Sequence, residues 1–296
     1  MKKIYSATIT PIDDMGKLDE VSLERIFERN IKHGLSGVFL LGSMGEWSQF
    51  DNNFRDNLIK TSVDIVGGRM EILAGVHSTG LDLTLKNMER LSDVKCDSYV
   101  LTLPSNTTKI APLAYITTVL NASDKPVYYY HCPPNNGIDL SIDQFEEFLS
   151  HPKLKGIKNS SGNMKLRKDL IMLKEKYDFI FLEGHEWAID ESLLMGCDGA
   201  LCGAGAIASR PMVLIAKAID SGDIQEAIRI QHELIRIFYG VYGKSLETVW
   251  VGQKYALKYI GLIDSFNALM QSPALLTTQR KKEIEICIDK YRELLD

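Results

Sequence analysis

The chain has only five cysteines in 296 residues, an odd number, and no two of them form a CxxC pair. Cys96, Cys132, Cys197, Cys202 and Cys287 lie mostly in apolar runs. Buried thiols in a reducing compartment are therefore expected, not a disulfide framework. No apolar run reaches the length of a membrane span, and the opening MKKIYSATITPID has two lysines without a long apolar stretch behind them. The pattern is neither that of a signal peptide nor that of a transmembrane helix, so a soluble, cytoplasmic protein with no membrane partner is expected. Basic stripes are absent too: 39 acidic residues stand against 34 basic ones, a formal net charge of −5. Phosphate backbones are bound by clustered cations, so no nucleic-acid partner is expected. HExxH is missing, and His77, Asp82, Asp97 and Asp198 lack metal-ligand spacing, which argues against a metal. GAGAIA at 203–208 is one glycine short of GxGxxG and comes late in the chain, so no dinucleotide cofactor is expected.

What the chain does have is a regular alternation of two periodicities. Short β-rich runs fall at 5–12, 37–41, 71–76, 98–103, 126–131, 154–158, 179–182 and 199–202. Segments with helical spacing lie between them: Leu23, Ile26, Phe27 and Ile31 share a face, and 79–92, 110–122, 141–149, 164–176 and 186–195 behave similarly. Asp19, Asp51, Ser141 and Asn163 stand where helix caps belong. Eight strand-then-helix units predict a (β/α)8 TIM barrel of the α/β class, with an open doubly wound sheet as runner-up. After Gly222 the β-rich runs stop, and 224–242, 246–260 and 279–295 read as helices, with Ser272 and Pro273 in a linker. The expected division is a catalytic barrel at 1–222 and a C-terminal helical extension at 223–296, packed on the barrel.

In such a barrel the chemistry gathers at the C-terminal ends of the strands. Strand two ends in GSMGEW (42–47), strand five in YYYHCP (128–133), strand six in GIKNSSG (156–162), strand seven in LEGHEW (182–187) and strand eight in CGAGA (202–206). Lys158 follows a short, largely apolar strand, so its amine is expected in a poorly solvated mouth. Desolvation disfavours the ammonium and makes the amine a nucleophile toward a carbonyl. Lys155, near the strand start, reads as an ordinary surface charge. An imine needs a proton shuttle, and Tyr130 on the neighbouring strand is the candidate. Strand alternation sets Tyr128 and Tyr130 on one face, with Tyr129 and His131 on the other. The glycine-flanked turn at 42–45 offers backbone N–H groups to a carboxylate, and the Ser43 hydroxyl adds a donor or a relay. Glu46 is expected to stabilise that loop, while His185 and Glu186 stand where a polyhydroxy substrate would be hydrogen-bonded.

At these residues the chain resembles the class I, pyruvate-dependent aldolases, the family that includes N-acetylneuraminate lyase and dihydrodipicolinate synthase. GSMGE at 42–46 is similar to the family pattern GxTGE. Tyr130-His-Cys-Pro133 resembles its strand-five pattern, and Gly156-Ile-Lys158 through Gly162 its Schiff-base pattern. The resemblance implies a lyase without a separate cofactor, in which Lys158 forms a covalent imine with pyruvate or another 2-oxo acid. Tyr130 would shuttle protons, and Ser43 with Met44 would hold the carboxylate. Gly184, Glu186 and Gly203 join Met44 as candidate substrate-binding positions. A homotetramer built as a dimer of dimers is likewise implied.

Departures from the family bear on the substrate. Met44 replaces the usual threonine, and Asn135 stands where dihydrodipicolinate synthases place an arginine for the second substrate's carboxylate. Pro104 is followed by Ser105, Asn106 and Thr107 where those synthases carry a tyrosine. YYYHCP is closer to the sialic-acid lyase branch, yet Trp187 replaces a carboxylate of that branch, pointing to a shorter or less polar substrate tail. The leading expectation is an N-acetylneuraminate lyase-like or 2-oxo-3-deoxy sugar acid aldolase. The alternative is a 4-hydroxy-tetrahydrodipicolinate synthase condensing pyruvate with aspartate semialdehyde. From other classes, an oxidoreductase lacks a cofactor motif, and a non-catalytic regulatory barrel is disfavoured by the retention of both Lys158 and Tyr130.

Overall fold

The structure, a computed structural model, describes residues 1–105 and 111–296. Eight parallel strands close into one barrel in sequence order: β1 (Lys3–Ala7), β2 (Gly37–Leu40), β3 (Glu71–Gly75), β4 (Ser98–Leu101), β5 (Val127–His131), β6 (Leu154–Asn159), β7 (Ile180–Glu183) and β8 (Gly199–Cys202). Around it run α1 (Glu20–His33), α2 (Asn52–Val66), α3 (Leu81–Arg90), α4 (Pro112–Ala122), the one-turn α5 (Pro133–Asn136), α6 (Ile142–Leu149), α7 (Met164–Leu173), α8 (Ile189–Met195) and α9 (Ser209–Ser221). The helical extension follows as α10 (Ile224–Tyr242), α11 (Val249–Tyr259), α12 (Thr278–Lys290) and α13 (Arg292–Leu295). The expected boundary at Gly222 falls between α9 and α10, at a glycine with φ 79°. α10 packs along α9, and α11 and α12 pack on α10.

Strand alternation divides the apolar residues into two layers. Tyr5, Phe39, Leu73, Val100, Tyr128, Tyr130, Leu182 and Leu201 fill the barrel, while Val38, Leu40, Tyr99, Tyr129, Ile157 and Phe181 face the helices. Burying both faces is what a parallel sheet requires, and it explains why these strands read as nearly continuous apolar runs. All four expected caps form: Asp19, Asp51, Ser141 and Asn163 each accept a first-turn N–H through the side chain.

Several predicted boundaries move for local reasons. β1 ends at Ala7 and not at residue 12, because Thr10 turns its hydroxyl to the Gly45 carbonyl and Pro11 has no N–H to give a ladder. β7 starts and ends one residue later than predicted, which places Glu183 on the strand. α11 begins at Val249 because Leu246 has φ 59°, outside the helical range. The 110–122 helix is seen from Pro112; Asn106 and Thr107 lie outside the described residues.

Candidate active site

β5 and β6 are neighbours, and their register sets Tyr130 directly beside Lys158. Both point into the barrel. Lys158 is 4% exposed, its Nζ 3.8 Å from the centre of the Tyr130 ring and 5.3 Å from that of Phe39. Among the described residues no carboxylate comes within 4 Å of that amine. Burial lowers the Lys158 pKa, and the more distant Cys132, Cys202, Glu186 and Glu183 offset this in part.

The Tyr130 hydroxyl donates to Cys132 Sγ at 3.3 Å. Burial is the main force raising its pKa well above that of an ordinary phenol, although the Ser160 and Ser43 hydroxyls act the other way. The phenol thus keeps its proton at neutral pH, beside an amine whose proton burial has loosened. His131 points to the opposite face, as alternation predicted. Its Nε2 meets Asp139 Oδ1 at 3.0 Å and its ring packs on Phe145.

The turn after β2 is bracketed by two non-glycine residues in the left-handed region, Leu41 (φ 56°) and Glu46 (φ 54°). That conformation costs each about 1 kcal/mol and persists because both are fully enclosed. The Glu46 carboxylate is taken up by the C-terminal extension. One oxygen pairs with Lys254 Nζ at 2.5 Å and the other accepts the N–H groups of Leu269 and Met270 at 2.6 and 2.8 Å. Ser43 Oγ accepts from Asn135 Nδ2 at 2.8 Å.

The four remaining positions also meet at the barrel mouth. A Cβ at Gly184 would lie 2.1 Å from Ser160 Oγ and 3.0 Å from Lys158 Cε, so only glycine leaves room for the lysine. A Cβ at Gly203 would lie 2.7 Å from Met44 Cγ and 3.3 Å from Glu186 Oε1. The Glu186 carboxylate accepts the N–H groups of Gly203 and Ala204 at 2.8 and 3.2 Å, which occupies it with the β8 turn. Trp187, expected to shape the substrate tail, turns away instead. Its indole N–H donates to the Tyr239 hydroxyl at 2.8 Å and its ring packs on Phe238, both on α10.

A cavity of about 350 Å³ opens from Tyr130 and Ser43, with Trp47, Ser48, His77, Ser78, Thr79, Thr102, Leu103, Pro104, Ser105, Asn135 and Asn136 around it. This is the size range of small-molecule sites. Burial, with help from Arg55, pushes His77 down to about 3, so every one of these side chains is uncharged at neutral pH. Sequence reading missed His77, Thr79 and Thr102 as a wall, although they directly follow β3 and β4, where the barrel rule places functional residues. Also missed was Glu183, which forms a buried pair with Arg167 at 2.6 Å and accepts from Ser192. Among the described residues no cluster of three or more His, Cys, Asp or Glu is placed to hold a metal.

These features define the protein's class: a (β/α)8 barrel with an unpaired, buried lysine beside a buried phenol. The sequence profile of the Dihydrodipicolinate synthetase family matches residues 1–290. Curated relatives include the 4-hydroxy-tetrahydrodipicolinate synthases of Thermosipho africanus, 25% identical with 94% of each chain covered, and of Pseudomonas syringae pv. syringae, 26% identical with 87% of each covered. Among solved structures, YagE from E. coli K12, a prophage protein in complex with pyruvate, has a TM-score of 0.88 at 23% identity over 99% of both chains. CdNal from Clostridium difficile, in complex with mannosamine, has a TM-score of 0.87 at 22% identity, covering 98% of this chain and 99% of that one.

The chain belongs to the dihydrodipicolinate synthetase family. It is accordingly a lyase of the pyruvate-dependent, Schiff-base aldolase class.

Proposed function

We propose that Lys158 forms the imine and that the enzyme joins pyruvate to, or releases it from, an uncharged polyhydroxylated aldehyde. The observation that carries the chemistry is the unpaired burial of Lys158 against Tyr130. The neutral amine attacks the keto carbon of pyruvate, and the carbinolamine loses water with a proton supplied by Tyr130. The resulting iminium draws electrons from C3, so a C3 proton passes to the Tyr130 phenolate and an enamine forms. Enamine C3 then attacks the aldehyde carbon, the new alkoxide takes that proton from Tyr130, and water hydrolyses the iminium, returning the proton to Tyr130 and releasing the 2-oxo acid. Cleavage runs the same steps backwards. Ser43 and the Met44 N–H hold the pyruvate carboxylate, and Ser43 also meets the phenol. Gly184 leaves space for the lysine, and Glu186 with Gly203 shapes the β8 side.

The aldehyde class rests on the cavity wall. Hydroxyls and amides from Ser48, Ser78, Thr79, Thr102, Asn135 and Asn136 suit a chain of hydroxyl groups, as in a 2-oxo-3-deoxy sugar acid or a sialic acid. The second reading, condensation with aspartate semialdehyde, has the relatives in its favour: the curated names given above favour it over the sugar-acid reading. Against it stands Asn135, which offers a carboxylate one neutral amide in place of a bidentate cation. A panel of aldehydes at saturating pyruvate separates the two readings. Glyceraldehyde, longer sugar aldehydes or N-acetylmannosamine should exceed aspartate semialdehyde in kcat/KM by about tenfold or more, as about 1.4 kcal/mol of discrimination gives. Preference for aspartate semialdehyde by that factor would establish the synthase reading instead. The assembly proposed is a homotetramer; sedimentation of a single smaller species would contradict it.

A further inference from the structure

Helix α11 is outside the eight-unit barrel, yet three of its side chains end on the loops of the site. Trp250 Nε1 donates to the Ser43 carbonyl at 3.0 Å, Gln253 Nε2 to the Gly203 carbonyl at 2.9 Å, and Lys254 Nζ to Glu46 Oε2 at 2.5 Å. Positions 250, 253 and 254 are spaced i, i+3 and i+4, so they share one helix face. Gln253 and Lys254 are fully buried, which makes their hydrogen bonds expensive to break.

A trans peptide is planar, with its C=O and the following N–H pointing in opposite directions. The Ser43 carbonyl accepts from the Trp250 indole and, at 3.2 Å, from the Glu46 N–H, and this aims the Met44 N–H the other way. Among the described residues that N–H has no hydrogen-bond acceptor. The Gly203–Ala204 peptide is held on both sides in the same manner, with Gln253 on its carbonyl and Glu186 on its N–H. Lys254 secures the far end of the first loop through Glu46 and also reaches the Asn267 carbonyl at 2.7 Å.

We propose that Trp250 and Lys254 are positioning residues, through which α11 fixes the Ser43–Met44 peptide as a donor to the substrate's carboxylate. The inference rests on the reading that the 43–44 loop holds that carboxylate.

Trp250→Phe keeps an aromatic ring at this position, though a smaller one, and removes the indole N–H. Borohydride trapping on Lys158 is then compared for pyruvate and for acetone, a ketone without a carboxylate. The variant should need about tenfold more pyruvate for half-maximal trapping, while its acetone requirement and thermal midpoint stay near wild type. Equal weakening for both ketones would mean general loosening, and no weakening for either would mean Trp250 does not position the loop; each result overturns the proposal. If wild type takes up pyruvate no more tightly than acetone, the carboxylate reading itself falls, and the positioning role with it. The double variant Glu46→Gln, Lys254→Met, which leaves no buried charge unpaired, should show the same pyruvate-selective loss and provides a second test should Trp250→Phe not fold.

Discussion

A lysine buried with no carboxylate beside it holds its proton less tightly than one in water, and the β6 register puts Lys158 in that position, against the ring of Tyr130. Desolvation is the dominant influence on it, with no carboxylate within ion-pair distance among the described residues. Its folded pKa is lowered, so the reactive neutral fraction grows as pH rises through that depressed value. Tyr130 is shifted oppositely and keeps its proton over the same range. A depressed amine next to an elevated phenol is the division of labour that imine chemistry asks for. Tyr130→Phe keeps the ring against Lys158 and removes the proton donor. Turnover should fall about 100-fold or more, the scale of general acid–base catalysis, with borohydride trapping of pyruvate slower but reaching the same end point. Turnover within twofold of wild type would assign the shuttle to another group.

Among the elements, β5 was legible from its aromatic run, and β6 and β8 as short, largely apolar runs at regular spacing along the chain. The order of eight such units then predicts Lys158, Tyr130 and Ser43 at one end of a barrel. Side-chain direction beyond the strand ends was not legible. Trp187 was expected at the substrate but is drawn to Tyr239, 52 positions away, because an indole N–H that leaves water needs a partner. The pairing of Glu46 with Lys254 likewise spans 208 positions, and only the packing of α11 against the barrel mouth brings the two together. Removing one member of that pair should be severe. Lys254→Met leaves a buried carboxylate without its cation and should cost about 3–5 kcal/mol in urea unfolding. Adding Glu46→Gln should restore part of that loss. If the two losses simply add, the buried pair is not the coupled unit its geometry indicates.

For the whole molecule, closure of the barrel in sequence order with both strand faces buried makes stability depend on groups kept neutral far from solvent. Burial, with Arg29 as the next influence, lowers His33 to about 4, and burial with Arg55 lowers His77 to about 3. An unfolded histidine titrates near 6.5. As pH falls below that value the unfolded chain gains protons that the fold refuses. Each histidine then withdraws about 1.4 kcal/mol of stability per pH unit, levelling off near 4 for His33 and near 3 for His77. Urea unfolding from pH 7 to pH 4 should show this slope, and His33→Gln should remove about one histidine's share; an unchanged slope would mean His33 already titrates normally in the fold. The most direct test of the central claim is borohydride reduction in the presence of pyruvate, followed by intact mass and peptide mapping. One reduced pyruvyl adduct per chain, on Lys158 and absent from Lys158→Arg, is the expected result. An adduct on another lysine, or none from folded wild-type protein, would contradict it.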